Sequence, residues 1–163
     1  MEEKEFLQHI QAHQGTIYHL LRLYVSDADD QDDIKQEIVL QAWKSKDSFR
    51  KQSSFNTWLY KLALYTILTA KRKVAKMQQV DLQEADGLAT DERDEQEEVQ
   101  LLYRSIYSLD DLSKTIITMH LDGFTNAEIA TFIGITPNHL GVKLHRIKET
   151  ISSKLKASSY GAK

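Results

Sequence analysis

Residues 125–151 read TNAEIATFIGITPNHLGVKLHRIKETI, and their spacing predicts two short helices joined by a tight turn. Thr125 and Glu128 stand three residues apart, as in a capping box whose hydroxyl and carboxylate close reciprocal bonds on free N–H groups. Ile129, Ala130 and Ile133 form a narrow apolar face. Gly134 suits the left-handed residue that ends a helix. Thr136 then caps a second helix, and Pro137 occupies its first turn, where a missing N–H costs nothing.

The second helix is two-sided. Leu140, Leu144, Ile147, Ile151 and Leu155 follow one another at spacings of four, three, four and four, so they line one stripe. Asn138, Val142, His145 and Arg146 project on the other side, flanked by His139 and Lys143. A helix-turn-helix needs both: an apolar back to anchor it and a cationic front for phosphates and base edges. The same residues would also suit a helical hairpin inside a bundle.

Outward from this stretch the chain stays helical. It has one proline, six glycines and 41% hydrophobic residues, a balance that favours long helices over a turn-rich β fold and supports a packed core. The absence of cysteine excludes disulfides and thiolate metal sites. The first residues, MEEKEFLQHIQAHQ, lack the apolar core of a signal peptide, and no apolar run approaches a membrane span. The expectation is a soluble cytoplasmic protein without membrane insertion.

The formal charge of −3 is unusual for a protein that binds DNA unaided. Its distribution explains it. Asp81, Glu84, Asp86, Asp91, Glu92, Asp94, Glu95, Glu97 and Glu98 are opposed only by Arg93. Without that segment both flanks are mildly basic. The order basic, acidic, basic suggests two nucleic-acid-facing domains joined by a solvated linker, and with no strand pattern the chain is expected to be all-α, two small helical bundles. The first spans residues 1–77, an acidic linker follows over 78–95, and the second spans 96–163.

In the first bundle, Phe6, Ile10, Ile17, Leu21 and Tyr24 predict one helix over 3–25, slightly weakened by Gly15. A turn rich in capping residues leads to a helix over about 30–44 that buries Ile34, Ile38 and Trp43. A polar loop over 45–54 follows, then a helix to about Lys76 with Trp58, Leu59, Leu62 and Ala63 inward. That helix ends in Lys71, Arg72, Lys73 and Lys76, cations at the negative pole of the helix dipole. In the second bundle, Val99, Leu102, Tyr103 and Ile106 are in helical register. The next helix runs to Leu121, capped by Asp110 or Asp111 and stopped by Gly123.

The N-terminal half narrows the function. Asp33, Gln36, Glu37, Ala42 and Trp43, followed by Phe55, Thr57, Trp58, Leu59 and Tyr60, resemble region 2 of the extracytoplasmic-function branch of bacterial sigma factors. Leu109–Asp110, Gly123, Glu128, Ile129, Ala130, Gly134, Ile135, Leu144, His145 and Arg146 resemble region 4 of the same family. The resemblance covers nearly the whole chain apart from the linker and the last few residues. Two matching halves in the right order are far more specific than either alone. The chain departs from the pattern at Tyr65 and Thr69, where the family shows Asn and Asp. It departs again at Gly141 and Val142, where Lys and Ser or Thr are usual.

The resemblance implies a protein without a reaction of its own, which binds core RNA polymerase and directs it to promoter DNA. Asp33, Gln36, Glu37 and Gln41 would form the polymerase-binding face. Phe55, Trp58, Tyr60, Lys61, Tyr65, Thr69, Lys71 and Arg72 would handle the −10 element, aromatics near cations being suited to trapping unpaired bases. Trp58 is expected to be largely structural, and the loop 47–54 is a candidate pocket for a flipped base. The −35 element would fall to Asn138, His139, Val142, Lys143, His145, Arg146 and Lys148. Val142 is placed to meet a thymine methyl. An anti-sigma factor is a further implied partner.

No cofactor or metal is expected. An EF-hand loop beginning at Asp27 would need Gly and Glu where Asp32 and Ile38 stand, so DADDQDD reads as a solvated helix-capping run. His9 and His13 lie at i, i+4 without a third ligand. Two other readings stay open. One is a two-domain helix-turn-helix regulator; the other is a sigma-like adaptor that has lost promoter recognition.

Overall fold

The computed structural model describes residues 1–78 and 96–161, and side chains over 1–73 and 96–158. The acidic linker expected over 78–95 lies outside the described residues, apart from Gln78. Every regular element among them is helical, and the chain divides into two compact units, Met1–Asp91 and Glu92–Lys163.

The first unit contains α1 (Glu3–Ala12), α2 (Gln14–Tyr24), α3 (Ala28–Ser45), a 3-10 turn (Lys46–Ser48) and α4 (Phe55–Gln78). The single helix predicted over 3–25 is two. The chain breaks at His13, with φ −117° and ψ 20°, and its imidazole Nδ1 donates to the His9 carbonyl at 2.8 Å. Ile10 and Ile17 are both buried, so the apolar rhythm runs through a break that only the backbone records. The 3-10 turn likewise replaces part of the predicted loop.

Asp27 caps α3 by accepting from the Asp29 N–H at 2.9 Å, and Ser54 caps α4 by accepting from the Thr57 N–H at 3.1 Å. Helices α2, α3 and α4 pack on one another. Leu20, Ile38, Ala42, Leu59, Ala63, Leu64 and Ile67 are buried between them. Ile34 and Leu62 are half-buried. Trp43, expected inside, is 37% exposed. The inward stripe of α3 runs through Ile38 and Ala42, which leaves the next residue at the rim.

The second unit contains α5 (Glu97–Tyr107), α6 (Asp111–Leu121), α7 (Asn126–Ile133) and α8 (Pro137–Gly161). Asp110, rather than Asp111, caps α6, accepting from the Ser113 N–H at 2.8 Å. Val99, though in register, is exposed. The Thr125–Glu128 capping box is complete, with both bonds at 3.1 Å. Thr136 Oγ1 accepts from the His139 N–H at 3.2 Å at the start of α8. Leu140, Leu144, Ile147 and Ile151 are buried, Leu155 is half-buried, and α8 packs against α5, α6 and α7.

Two glycines of this motif obey opposite rules. Gly134 has φ +89°, and a Cβ there would meet nothing within 4 Å, so the obstacle to substitution is the backbone alone. Gly141 sits within α8, also with open space around its missing Cβ. Gly134→Ala should destabilise the second unit by about 1–2 kcal/mol, and Gly141→Ala should stabilise it by about 0.5–1 kcal/mol. Equilibrium unfolding of the two variants checks both signs.

Candidate nucleic-acid interface

The buried stripe of α8 fixes what the helix shows to solvent. Asn138, His139, His145, Arg146 and Lys148 are exposed, Val142 is 53% exposed, and Lys143 is half-buried. An acid shares this face: Glu149 lies 3.2 Å from His145 Nε2, an ion pair only when the imidazole is protonated. The i, i+4 spacing of this pair is plain in the sequence, though the charge pattern alone did not single it out. On α6, burial first and the Lys148 charge second hold the His120 imidazole below its usual range.

Helix α4 separates its candidates sharply. Tyr60 is buried, and Phe55, 6% exposed, is the hub of an aromatic knot. Its ring centroid lies 4.6 Å from that of His9, 5.5 Å from His13, 5.6 Å from Phe49 and 5.4 Å from Trp58. Both residues fall on the inward side of the helix, Phe55 one turn before Leu59 and Tyr60 one turn before Leu64. As folded they are core residues and present no stacking surface. Trp58 is half-buried against Phe49 and Phe55, a largely structural position. Lys61 and Thr69 are half-buried; so is Lys71, whose ammonium lies 5.4 Å above the Tyr24 ring. Tyr65 is 69% exposed and Arg72 is exposed.

The segment 49–54 rests on the knot through Phe49. Arg50, Lys51, Gln52 and Ser53 are exposed beyond it. Lys51 adopts φ +57°, a left-handed conformation that a non-glycine residue takes at a cost of roughly 1–2 kcal/mol.

On α3, Asp33, Gln36 and Glu37 are exposed, and Gln41, half-buried, donates to Glu37 Oε1 at 2.7 Å. Leu40, 45% exposed, interrupts this polar face. Beside it, Phe6, Leu7, Gln36, Val39, Leu40 and Trp43 line an open cleft of about 610 Å³ between α1 and α3. The Trp43 ring meets Phe6 edge-on at 5.2 Å, with Lys46 Nζ 4.2 Å over its face. Sequence reading missed Leu7 and Leu40. The signal for Leu40 was an apolar residue at i+4 from Gln36 on a stripe otherwise polar. At the head of α3, Asp30 is held above the usual carboxylate range, first by desolvation, then by Asp27, Asp33 and Asp29. No helix among the described residues is long and apolar enough to cross a membrane.

Comparison with known proteins agrees with this geometry. Residues 9–77 match the family model for Sigma-70 region 2. The chain is 30% identical to the ECF RNA polymerase sigma-E factor of Escherichia coli K12, across 94% of this chain and 88% of that protein. It is 28% identical to the sigma-E factor of Haemophilus influenzae, across 94% and 89%. Its fold is similar to the sigma factor RpoE crystallised with the anti-sigma factor NepR from Bartonella quintana. There the TM-score is 0.73 at 20% identity, over 94% of this chain and 98% of that one. It is also similar to CnrH in complex with the cytosolic domain of CnrY, with TM-score 0.63 at 18% identity, over 96% and 90%.

The burial pattern of α4 is directly testable. Phe55→Ala should cost about 3–5 kcal/mol by emptying the centre of the knot. Tyr65→Ala should change stability by no more than about 0.5 kcal/mol. Denaturant unfolding monitored by circular dichroism distinguishes them, and equal losses would contradict the assigned sidedness.

Proposed function

This chain belongs to the extracytoplasmic-function RNA polymerase sigma factors, and we propose a division of that role between its two units. The first unit, which carries the region 2 match, docks on core polymerase through α3 and engages the −10 element with α4 and the segment before it. The second unit acts as region 4 and reads the −35 element in the major groove with the first turns of α8. The work is done in the cytoplasm, with no chemical step of the protein's own. An anti-sigma factor that covers these faces is the natural antagonist. The sigma factor RpoE, to which this fold is similar, was crystallised with the anti-sigma factor NepR.

The observation that carries the docking assignment is the mixed character of α3. Asp33, Gln36 and Glu37 offer charge and hydrogen bonds, while Leu40 and Trp43 beside them are large apolar groups that the core does not cover. Apolar anchors inside a polar rim are what a protein interface uses. In α8, Asn138 and His139 lie in the first turn, where base edges come within reach, and Arg146 lies two turns on, nearer the backbone.

Two experiments test the division. Trp43→Ala should weaken association with core polymerase by about 2 kcal/mol, roughly thirtyfold in Kd. Reversing Asp33 and Glu37 to Lys should weaken it without loss of helicity. Unchanged affinity in both would place the docking face elsewhere.

For the second unit, run-off transcription from a promoter library separates positioning from reading. Arg146→Ala should depress all promoters alike, as a phosphate contact does. Asn138→Ala or His139→Ala should reorder the −35 sequences, by about 1–3 kcal/mol for a lost base contact. A uniform loss in all three variants would mean that α8 positions the protein without reading sequence.

A further inference from the structure

We propose that Tyr65 captures an unpaired promoter base by stacking, and that it registers the base as unpaired without registering which base it is. The inference deepens the assignment of α4 to the −10 element and rests on that assignment.

Tyr65 is the most exposed of the large hydrophobic side chains among the described residues, at 69%. The core does not use its ring, which stands off the stripe of Leu59, Ala63 and Ile67. Lys61 precedes it by one turn, Thr69 follows by one and Arg72 by two, so an aromatic face is bracketed by cations along one side of a helix. That is the composition of a single-strand platform, in which cations follow the phosphates and a ring takes the base. The other aromatic candidates of α4 are committed. Phe55 and Tyr60 are buried, and Trp58 is packed against Phe49 and Phe55.

The mode of reading follows from the functional group. A tyrosine has a single hydroxyl at the tip of its ring, and when the ring face lies on a base that hydroxyl does not reach the base's pairing edge in the two-point manner of an amide. Every base has a π face, so stacking tolerates all four. The family pattern shows Asn at this position and Asp one turn later. Tyr65 and Thr69 replace an amide capable of paired hydrogen bonds and remove a negative charge from beside the strand. Base identity in the melted segment must then be read elsewhere, or not at all.

The test uses holoenzyme assembled from core polymerase and the full-length chain. Promoters carry each of the four bases in turn at every position of the −10 element, with 2-aminopurine placed opposite α4. Open complexes are followed by permanganate reactivity and by quenching of the fluorescent base. With wild-type protein, at least one unpaired position should show quenching and no base preference. Tyr65→Phe should retain both properties. Tyr65→Ala should lose quenching and reduce open complex roughly tenfold to a hundredfold, the range expected for one stacked base. Tyr65→Asn should introduce a base preference at that position.

Equal damage from Tyr65→Phe and Tyr65→Ala would assign the reading to the hydroxyl and overturn the proposal. So would an unaltered Tyr65→Ala. Wild-type protein that binds core polymerase yet opens no promoter would overturn the −10 assignment itself. That result is recognised before any variant is compared.

Discussion

The phase of a helix is set by what it buries, and both helices that carry the candidate site residues depend on that constraint. Leu140, Leu144, Ile147 and Ile151 hold one side of α8 against three neighbouring helices. With that stripe fixed, the direction of every other side chain on α8 follows at about 100° per residue. Asn138, Val142 and Arg146 are brought to the open side because the leucines and isoleucines are not free to turn. The same holds for α4, where Leu59, Ala63 and Ile67 fix the phase and Tyr65 is what remains outside. Rigid anchoring is also what a reading surface requires, since a base contact is worth its energy only if its geometry is held.

Charge acts on a coarser scale. The carboxylates that make the chain formally −3 are concentrated between residues 81 and 98. The cations of α8 are few, and Glu149 sits among them beside His145. Some basic residues are unavailable to any partner: Lys114 is buried, 4.8 Å over the Tyr107 ring and 3.9 Å from Asp111, and Arg22 is buried as well. A surface that neutralises few phosphates binds duplex DNA weakly and with a shallow salt dependence. On the proposed reading, affinity for a promoter comes from the polymerase complex, and the sigma chain contributes the discrimination.

How much of this was legible in the sequence depended on the kind of signal. Local chemistry was read correctly: the Thr125–Glu128 box, Gly134 in the left-handed region, and the start of α8 at Thr136 and Pro137 all rest on bonds within four residues. Periodicity found the stripe of α8 and the helix that carries Leu102, Tyr103 and Ile106. What failed had two sources: neighbours distant in sequence, and composition read without helix phase. Trp43 reads as core by composition, yet it lies at the rim because α1 leaves an open cleft beside it. Phe55 and Tyr60 read as aromatics near cations, and that composition outweighed a spacing that sets each of them four residues before a buried leucine. The break at His13 has no proline or glycine at its own position and interrupts no apolar spacing.

That break gains a purpose once the tertiary contacts are known. Ending α1 at His13 holds His9 and His13 one turn apart with their ring centroids 6.4 Å from each other, and both rings lie against Phe55. Phe55 begins α4, and it touches Phe49 and Trp58 on its other sides. The segment between Phe49 and Phe55 is therefore pinned at both ends by one knot, while Arg50 to Ser53 stay exposed. Packing half-buried Phe49 against buried Phe55 at the base of a short loop removes much of the freedom the loop would otherwise lose on meeting a ligand. On the proposed reading, Phe55 and Trp58, which the sequence assigned to the nucleic acid, serve it indirectly, by holding still the elements that would face it.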